Sequence, residues 1–132
     1  MGKEDFIHIL NMQKVRRDSI LLFNEKKEEM LAKAIKYILK KESTYSEDLK
    51  DTNTLDIFKH TILNAHFKWI IDHNEEFSID FNDNYKIGTN YLILPAYQDV
   101  YIFMIKEIKD LDTRDDVKKN LSEHLNFLIH HV

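Results

Sequence analysis

Two histidines and the single tryptophan share one face of a predicted helix. On a helical wheel, His66, Trp69 and His73 fall in the middle of an otherwise apolar stripe. The simplest interpretation is that both histidines lie in the core and hydrogen-bond to their neighbours. The functional interpretation is a polar handle in a ligand cavity, or a pH-sensitive switch. The whole stripe comprises Leu55, Phe58, Ile62, His66, Trp69, His73 and Phe77.

The seven histidines raise the question of a metal site, but their spacing argues against one. His66 and His73 are two helical turns apart, about 10.5 Å along the axis, which is too far for one ion unless other elements contribute ligands. His130 and His131 are adjacent, so they point about 100° apart on a helix. We therefore expect no metal.

Groups that could catalyse a reaction are scarce. The acidic pairs at 75–76 and 115–116 lie at predicted helix ends, where solvated carboxylates favour the helix dipole. The sequence has no P-loop, dinucleotide-binding, zinc-protease or nucleophile-elbow motif. No triad, dyad or activated nucleophile is recognisable, so we expect no catalytic residues and no enzyme.

The composition predicts one globular domain over residues 1–132. With 43% apolar and 32% charged residues, the chain can bury a core, and two glycines and one proline are too few for an all-β fold. The absence of cysteine excludes disulfides and suits a cytoplasmic location. A net charge of −4 with scattered Lys and Arg disfavours nucleic acid, and we expect no membrane span.

Apolar residues recur at helical spacing along most of the chain. Asn24 is predicted as the N-cap of a second helix, and Thr54 as the N-cap of the long helix with the histidines. Asp112 or Thr113 is predicted to cap the last helix, and 43–53 is a polar connector. We expect an all-α fold of five to seven helices, with helices over 3–17, 25–41, 54–77, 95–110 and 113–132.

The stretch 85–99 contains Gly88, the only interior glycine, and Pro95, the only proline. Glycine and proline concentrated in one stretch indicate that the backbone there adopts a specific conformation. We therefore expect this stretch to form one wall of any site. The residues before Pro95 are ambiguous: 77–81 and 90–94 could be two short strands, or loop and short helix. Pro95 is predicted to begin a helix.

The helix after Pro95 is apolar nearly all round, which is typical of a central helix or of one shared with a partner chain. One face carries Tyr97, Tyr101 and Ile105, and much of the remainder carries Ile102 and Phe103. On the last helix, the predicted core face is Val117, Leu121, Leu125, Leu128 and Val132, and Phe127 points the other way. We therefore predict a homodimer interface that contains Ile102, Phe103 and Phe127.

The run Ile87-Gly88, Tyr91, 92–94, Pro95 and Tyr101 resembles the proximal segment of sensor globins. In that family an Ile-Gly pair precedes the haem-binding histidine by a few residues, and an apolar stretch with a proline opens the next helix. Tyr91 stands where that histidine would be, and no histidine occurs between His73 and His124. The chain therefore resembles a sensor globin that cannot ligate haem from the proximal side.

The chain resembles the sporulation-inhibitory sensor-domain proteins of Bacillus and, more distantly, the N-terminal globin domains of stressosome co-antagonists. This resemblance implies a globin-like bundle, a homodimer through the last two helices and no haem. It also implies a fatty acid in the former haem space and a bound halide such as chloride. The implied function is signal transduction: inhibition of sporulation by sequestering the activating signal of a sensor histidine kinase.

A globin fold without haem must collapse or accept another apolar guest, because empty apolar voids cost stability. Aromatic and aliphatic walls with a few polar groups suit an acyl chain whose carboxylate needs one or two donors. Ordinary core packing is the alternative for each of these residues. The predicted donors are Tyr91, Tyr97, Tyr101, His66 and His73, and the predicted walls are Phe58, Ile62, Trp69, Ile105 and Leu125.

Three other functions remain open. The chain could be a helical protein-binding module, such as an immunity or antitoxin-like inhibitor, with a packed core and no small-molecule ligand. It could be a haem or oxygen-binding globin ligated from His66 or His73. It could bind DNA through the basic cluster at 14–17, although a solvated helix face is the simplest interpretation of that cluster.

Overall fold

The computed structural model describes residues 2–41, 45–75 and 94–131, and these residues form an all-α fold without a strand, as predicted. The alternatives for 77–93, the stretch around Gly88, and Tyr91 lie outside the described residues. A π-helical segment, Ile62–His66, joins α3 to α4. The helices are α1 (Lys3–Lys40), α2 (Ser46–Lys50), α3 (Thr52–Thr61), α4 (Phe67–Glu75), α5 (Leu94–Lys109) and α6 (Asp115–His131).

Helix α1 is one continuous helix of 38 residues, so the prediction of two helices divided at Asn24 is wrong. No glycine or proline interrupts the segment. The Asn24 side chain accepts a hydrogen bond from Lys27 Nζ at 3.1 Å instead of capping a helix. At 1.5 Å per residue α1 is about 57 Å long, more than twice the length of α5 or α6. The first buried residue of α1 is Ser19, so none of the residues from Lys3 to Asp18 is buried in the core.

Asp51, and not Thr54, caps α3. The Asp51 carboxylate accepts from Thr54 N at 3.1 Å and from Thr54 Oγ1 at 2.8 Å. In the π-helical segment, Phe67 N donates to Ile62 O, five residues back. This wider turn rotates the following helix relative to an ideal wheel. Phe67 and Ile70 therefore enter the core, whereas Trp69 is only half-buried.

Helices α5 and α6 form an antiparallel hairpin that packs against α1. Gln98 Nε2, near the start of α5, donates to Ile129 O, near the end of α6, at 3.1 Å. Helix α5 is central, and the prediction that a helix begins at Pro95 is confirmed to within one residue. Helix α6 begins at Asp115, later than predicted, because the chain turns at 110–113.

Asp99 of α5 binds one residue that follows α1 and one that precedes α2. The Asp99 carboxylate accepts a hydrogen bond from the buried Tyr45 hydroxyl and one from Lys41 Nζ at 3.3 Å. Deeper in the core, Phe23 of α1 meets Phe67 of α4 edge to face, with ring centroids 4.9 Å apart. These contacts hold α4 and α5 on the same side of α1, which places the two histidines in the interior.

Candidate ligand-binding site

His66 and Tyr101 form a fully buried polar pair between the π-helical segment and α5. The Tyr101 hydroxyl and His66 Nδ1 are hydrogen-bonded. Burial, with a smaller effect of the neighbouring Tyr97, raises the pKa of Tyr101 well above its usual value. Tyr101 therefore stays protonated, and its hydroxyl can donate to His66 Nδ1.

Tyr97 lies one turn before Tyr101 and touches the same histidine. Its ring centroid is 5.2 Å from that of His66 and 4.6 Å from that of Phe58. Its hydroxyl is buried and has no hydrogen-bond partner among the described residues. A buried hydroxyl without a partner costs about 1–3 kcal/mol, so this group is a donor to which a guest's acceptor could bind with a gain in stability.

A second buried pair, His73 and His124, joins α4 to α6. His73 Nδ1 lies 2.7 Å from His124 Nε2, and His124 Nδ1 lies 2.7 Å from the Asn120 carbonyl oxygen. Burial lowers the pKa of His124 to about 4, outweighing the hydrogen bond to Asn120, and the charges of His73 and Arg16 lower it further. Neutral His124 donates to the carbonyl through Nδ1–H, so its Nε2 accepts from His73 Nδ1–H.

Polar groups from three helices surround this pair. Arg16 of α1 donates from Nη1 to the His73 carbonyl oxygen at 3.0 Å, in the last turn of α4. Asn120 Nδ2 donates to Asn74 Oδ1 at 2.9 Å, and Asn74 Nδ2 donates to Ile70 O at 3.1 Å. Helices α1, α4 and α6 are thus connected by one hydrogen-bond network beneath a groove.

Four rings stack between α4 and α6, and they include Phe127. Trp69 stacks on His73 on one side and on Phe127 on the other, with centroids 5.3 and 4.9 Å apart. Phe127 stacks in turn on His131 at 3.8 Å. Phe127 is only 7% exposed, so the prediction that it points away from the core is wrong. Trp69, displaced by the π-helical segment, covers it.

An open groove of about 570 Å³ lies between the N-terminal half of α1 and α6, with the histidine pair on its floor. Its side chains are of mixed charge, because Arg16 and Lys119 are balanced by Asp116 and Glu123. The lining residues are His8, Asn11, Met12, Val15, Arg16, His73, Asp116, Lys119, Asn120, Glu123 and His124.

The structure divides the predicted ligand-binding residues into two clusters. Phe58, His66, Tyr97 and Tyr101 contact one another between α3, the π-helical segment and α5. His73 and Trp69 belong to the cluster that faces α6, and His73 also lines the groove. Of the predicted walls, Ile62 and Leu125 are fully buried and Ile105 is half-buried, and Tyr91 lies outside the described residues.

The interpretation of His66 and His73 as core histidines with hydrogen-bonded neighbours is confirmed. The sequence prediction missed four residues that form hydrogen bonds in the second cluster: His124, Asn120, Asn74 and Arg16. A signal for His124 was present, because 117, 121, 124 and 128 follow the i, i+4, i+7, i+11 spacing of a core face. Nothing in the sequence pattern indicated that Arg16 would reach the end of α4.

Within the described ranges, no group of three or more His, Asp or Glu side chains is arranged to hold a metal ion. Among the described helices, none combines the length and the apolar character that crossing a membrane requires. No family model, no curated protein and no solved structure matches the chain.

Proposed function

We propose that this chain is a non-enzymatic ligand-binding domain of the haem-free sensor-globin type, with a long-chain fatty acid as its ligand. The observation that carries the proposal is the buried Tyr97 hydroxyl, which has no partner among the described residues. It lies beside the His66–Tyr101 pair, where a carboxylate could accept its hydrogen bond.

The chemistry of this cluster suits an acid head group. Tyr101 stays protonated because burial raises its pKa, and its hydroxyl is hydrogen-bonded to His66 Nδ1. Tyr97 adds a neutral hydroxyl donor. Neutral donors can bind a carboxylate in the interior without leaving a buried positive charge when the ligand is absent. Phe58 and Ile62, both fully buried, supply apolar surface for the acyl chain.

The regulatory part of the proposal rests on the resemblance stated above. The domain would be cytoplasmic, would sequester the activating ligand of a sensor histidine kinase and would thereby inhibit sporulation, with a halide as a second ligand. Expression of the chain in a sporulating Bacillus strain tests this part, and a reduced count of heat-resistant spores is the expected result. An unchanged count would contradict inhibition while leaving the ligand question to the purified protein.

The ligand itself is tested by extraction and rebinding. Denaturation of the purified chain followed by mass spectrometry should release a long-chain fatty acid. After delipidation, palmitate should rebind, and Tyr97→Phe should bind it about tenfold more weakly because one hydrogen bond to a charged acceptor is lost. Without ligand, Tyr97→Phe should unfold with an equal or larger free energy, because a buried hydroxyl without a partner has been removed.

Tyr37→Phe is the matched control, since Tyr37 is an exposed tyrosine outside the cluster and should change neither quantity. A protein that neither carries a fatty acid nor binds palmitate after delipidation would contradict the proposal. So would a Tyr97→Phe variant that binds palmitate as tightly as the parent chain.

The second candidate is a helical protein-binding module without a small-molecule ligand. The observation in its favour is the packing around Phe58, Tyr97 and Tyr101, each of which is fully buried in the structure. The extraction experiment separates the two functions, because a protein-binding module yields no fatty acid and forms a stable complex with one partner.

A further inference from the structure

The outer face of the first half of α1 is apolar and basic and carries no acidic residue. Successive side chains of an α-helix are 100° apart on a helical wheel. Between residues 3 and 21, this spacing places ten residues, mostly apolar or basic, on one arc of about 160°. This arc, which we call the outer face, comprises Lys3, Phe6, Ile7, Ile9, Leu10, Gln13, Lys14, Arg17, Ile20 and Leu21. The acidic residues of the same stretch, Glu4, Asp5 and Asp18, lie on the opposite arc.

From Val15 onward, the structure turns the opposite arc, and not the outer face, toward the body. Ser19 and Phe23 are buried, and Arg16 reaches the His73 carbonyl oxygen. Asp18 lies on the same side and pairs with Arg114 at 3.1 Å. The outer face is therefore the solvent side of α1, and its position follows from the packing of the helix.

Large apolar side chains on this face are exposed. Phe6 is 57% exposed, Leu10 46% and Leu21 63%, and Ile7 and Ile9 are also exposed. Exposed apolar residues scattered singly need no explanation, but five on one side of one helix, from Phe6 to Leu21, extend over about 22 Å. The basic residues Lys3, Lys14 and Arg17 are interleaved with them and are exposed as well. Beyond Leu21, the face ends at Asn24, Glu25 and Glu28.

We propose that the outer face of α1 docks on an anionic membrane surface. A convex helix side with Phe, Ile and Leu can insert these side chains into the boundary of head groups and acyl chains, while Lys and Arg extend to the lipid phosphates. A second copy of the chain is disfavoured as the occupant, because two such faces would place Lys14 and Arg17 against like charges. The wide arc also suits a deformable surface better than the narrow groove that accepts a single helix stripe.

Local charge, and not net charge, supports this docking. The chain as a whole carries −4, so an anionic surface repels it on average. The three basic residues of the outer face would each strengthen binding about fivefold, and only within about 10 Å of the lipid at moderate ionic strength. The protein should therefore bind in one orientation, with α1 on the lipid and the body held away from it. This inference does not depend on the fatty acid.

Cosedimentation of the full chain with vesicles tests the proposal. The chain should sediment with vesicles of phosphatidylcholine and phosphatidylglycerol at low salt, should remain in solution with phosphatidylcholine alone, and should be released by about 0.5 M salt. Leu10→Glu should weaken partitioning at least tenfold, and Arg17→Glu should weaken it by a similar factor. Both positions are exposed, so circular dichroism should show unchanged helix content.

Ile57→Glu is the matched control, because Ile57 of α3 is 58% exposed and lies outside the outer face. It should leave vesicle binding unchanged. The proposal is overturned if the chain does not sediment with anionic vesicles at low salt, as a protein partner for this face would predict. It is also overturned if both vesicle types bind equally, or if Ile57→Glu weakens binding as much as Leu10→Glu does.

Discussion

His124 is a buried imidazole, and its surroundings determine its pKa and its hydrogen bonds. It donates to the Asn120 carbonyl oxygen and accepts from His73, and the Arg16 guanidinium is nearby on α1. Burial lowers its pKa from an ordinary 6.5 to about 4. The unfolded chain therefore binds a proton at this histidine between pH 6.5 and pH 4, whereas the folded chain does not. The stability that results is complete above pH 6.5 and is lost as the pH falls through this window.

We accordingly expect His124 to make the fold about 2 kcal/mol less stable at pH 5 than at pH 7.5. Urea unfolding at the two pH values measures the difference for the parent chain. His124→Gln, which keeps polar atoms but cannot titrate, should reduce the difference by about that amount. The other charged residues of the groove, Arg16, Asp116, Lys119 and Glu123, are retained in both proteins. An equal pH dependence in the two proteins would contradict the low pKa.

At the scale of elements, the continuity of α1 decides what a proline does at its centre. In two helices capped by Asn24, Glu25 would be the first helical residue, a position that accepts proline. In the continuous helix, Glu25 is interior, so proline removes a backbone hydrogen bond and clashes with the preceding turn. Glu25→Pro should therefore destabilise the fold by roughly 3 kcal/mol or more.

Thr52→Pro is the corresponding control. Thr52 is the first residue of α3, follows the extended Asp51, and should accept proline with little change in stability. Chemical unfolding of both variants measures the comparison. Equal tolerance of proline at 25 and at 52 would mean that α1 is divided in solution.

The sequence predicted these elements to different extents, for physical reasons. The all-α class, the helix that begins at Pro95 and the inward direction of His66 and His73 follow from composition, proline geometry and a 100° periodicity. The continuity of α1 could not be predicted in this way. An Asn followed by Glu residues is compatible with the N-terminus of a helix and also with the exposed side of a helix interior. The burial of Phe127 could not be predicted either, because one wider turn at 62–66 moves Trp69 onto it, and an ideal wheel contains no such turn.

The sequence predicted the residue types of the candidate site better than their arrangement in space. A set of tyrosines, histidines and apolar walls was expected to surround one ligand, and Tyr97, Tyr101 and His66 do lie together. His73 is seven residues from His66, and its partners come from α6 and α1, which the sequence does not place relative to α4. Periodicity shows which side of a helix is buried, but not which helix covers it.

On the scale of the whole molecule, ligand binding should add to the stability of the 132-residue chain. A ligand that binds only the folded chain contributes about 2.7 kcal/mol at a concentration of 100 times its Kd, which corresponds to a rise in Tm of roughly 8 °C. We expect this rise for delipidated protein on addition of palmitate, and a smaller one for Tyr97→Phe at the same concentration. Differential scanning calorimetry measures both, and an unchanged Tm would contradict binding in the core.

The single tryptophan of the chain lies where the buried cluster between α4 and α6 meets the surface. Trp69 is half-buried and is stacked between His73 and Phe127, with His124 at 5.6 Å. Its indole emission therefore reports on one interface, between α4 and α6, without any label. A change in the protonation of the histidine pair would alter the quenching of this emission, and movement of α6 would alter its wavelength. The protein thus contains an intrinsic fluorophore that distinguishes ligand binding with movement of α6 from ligand binding in the core without such movement.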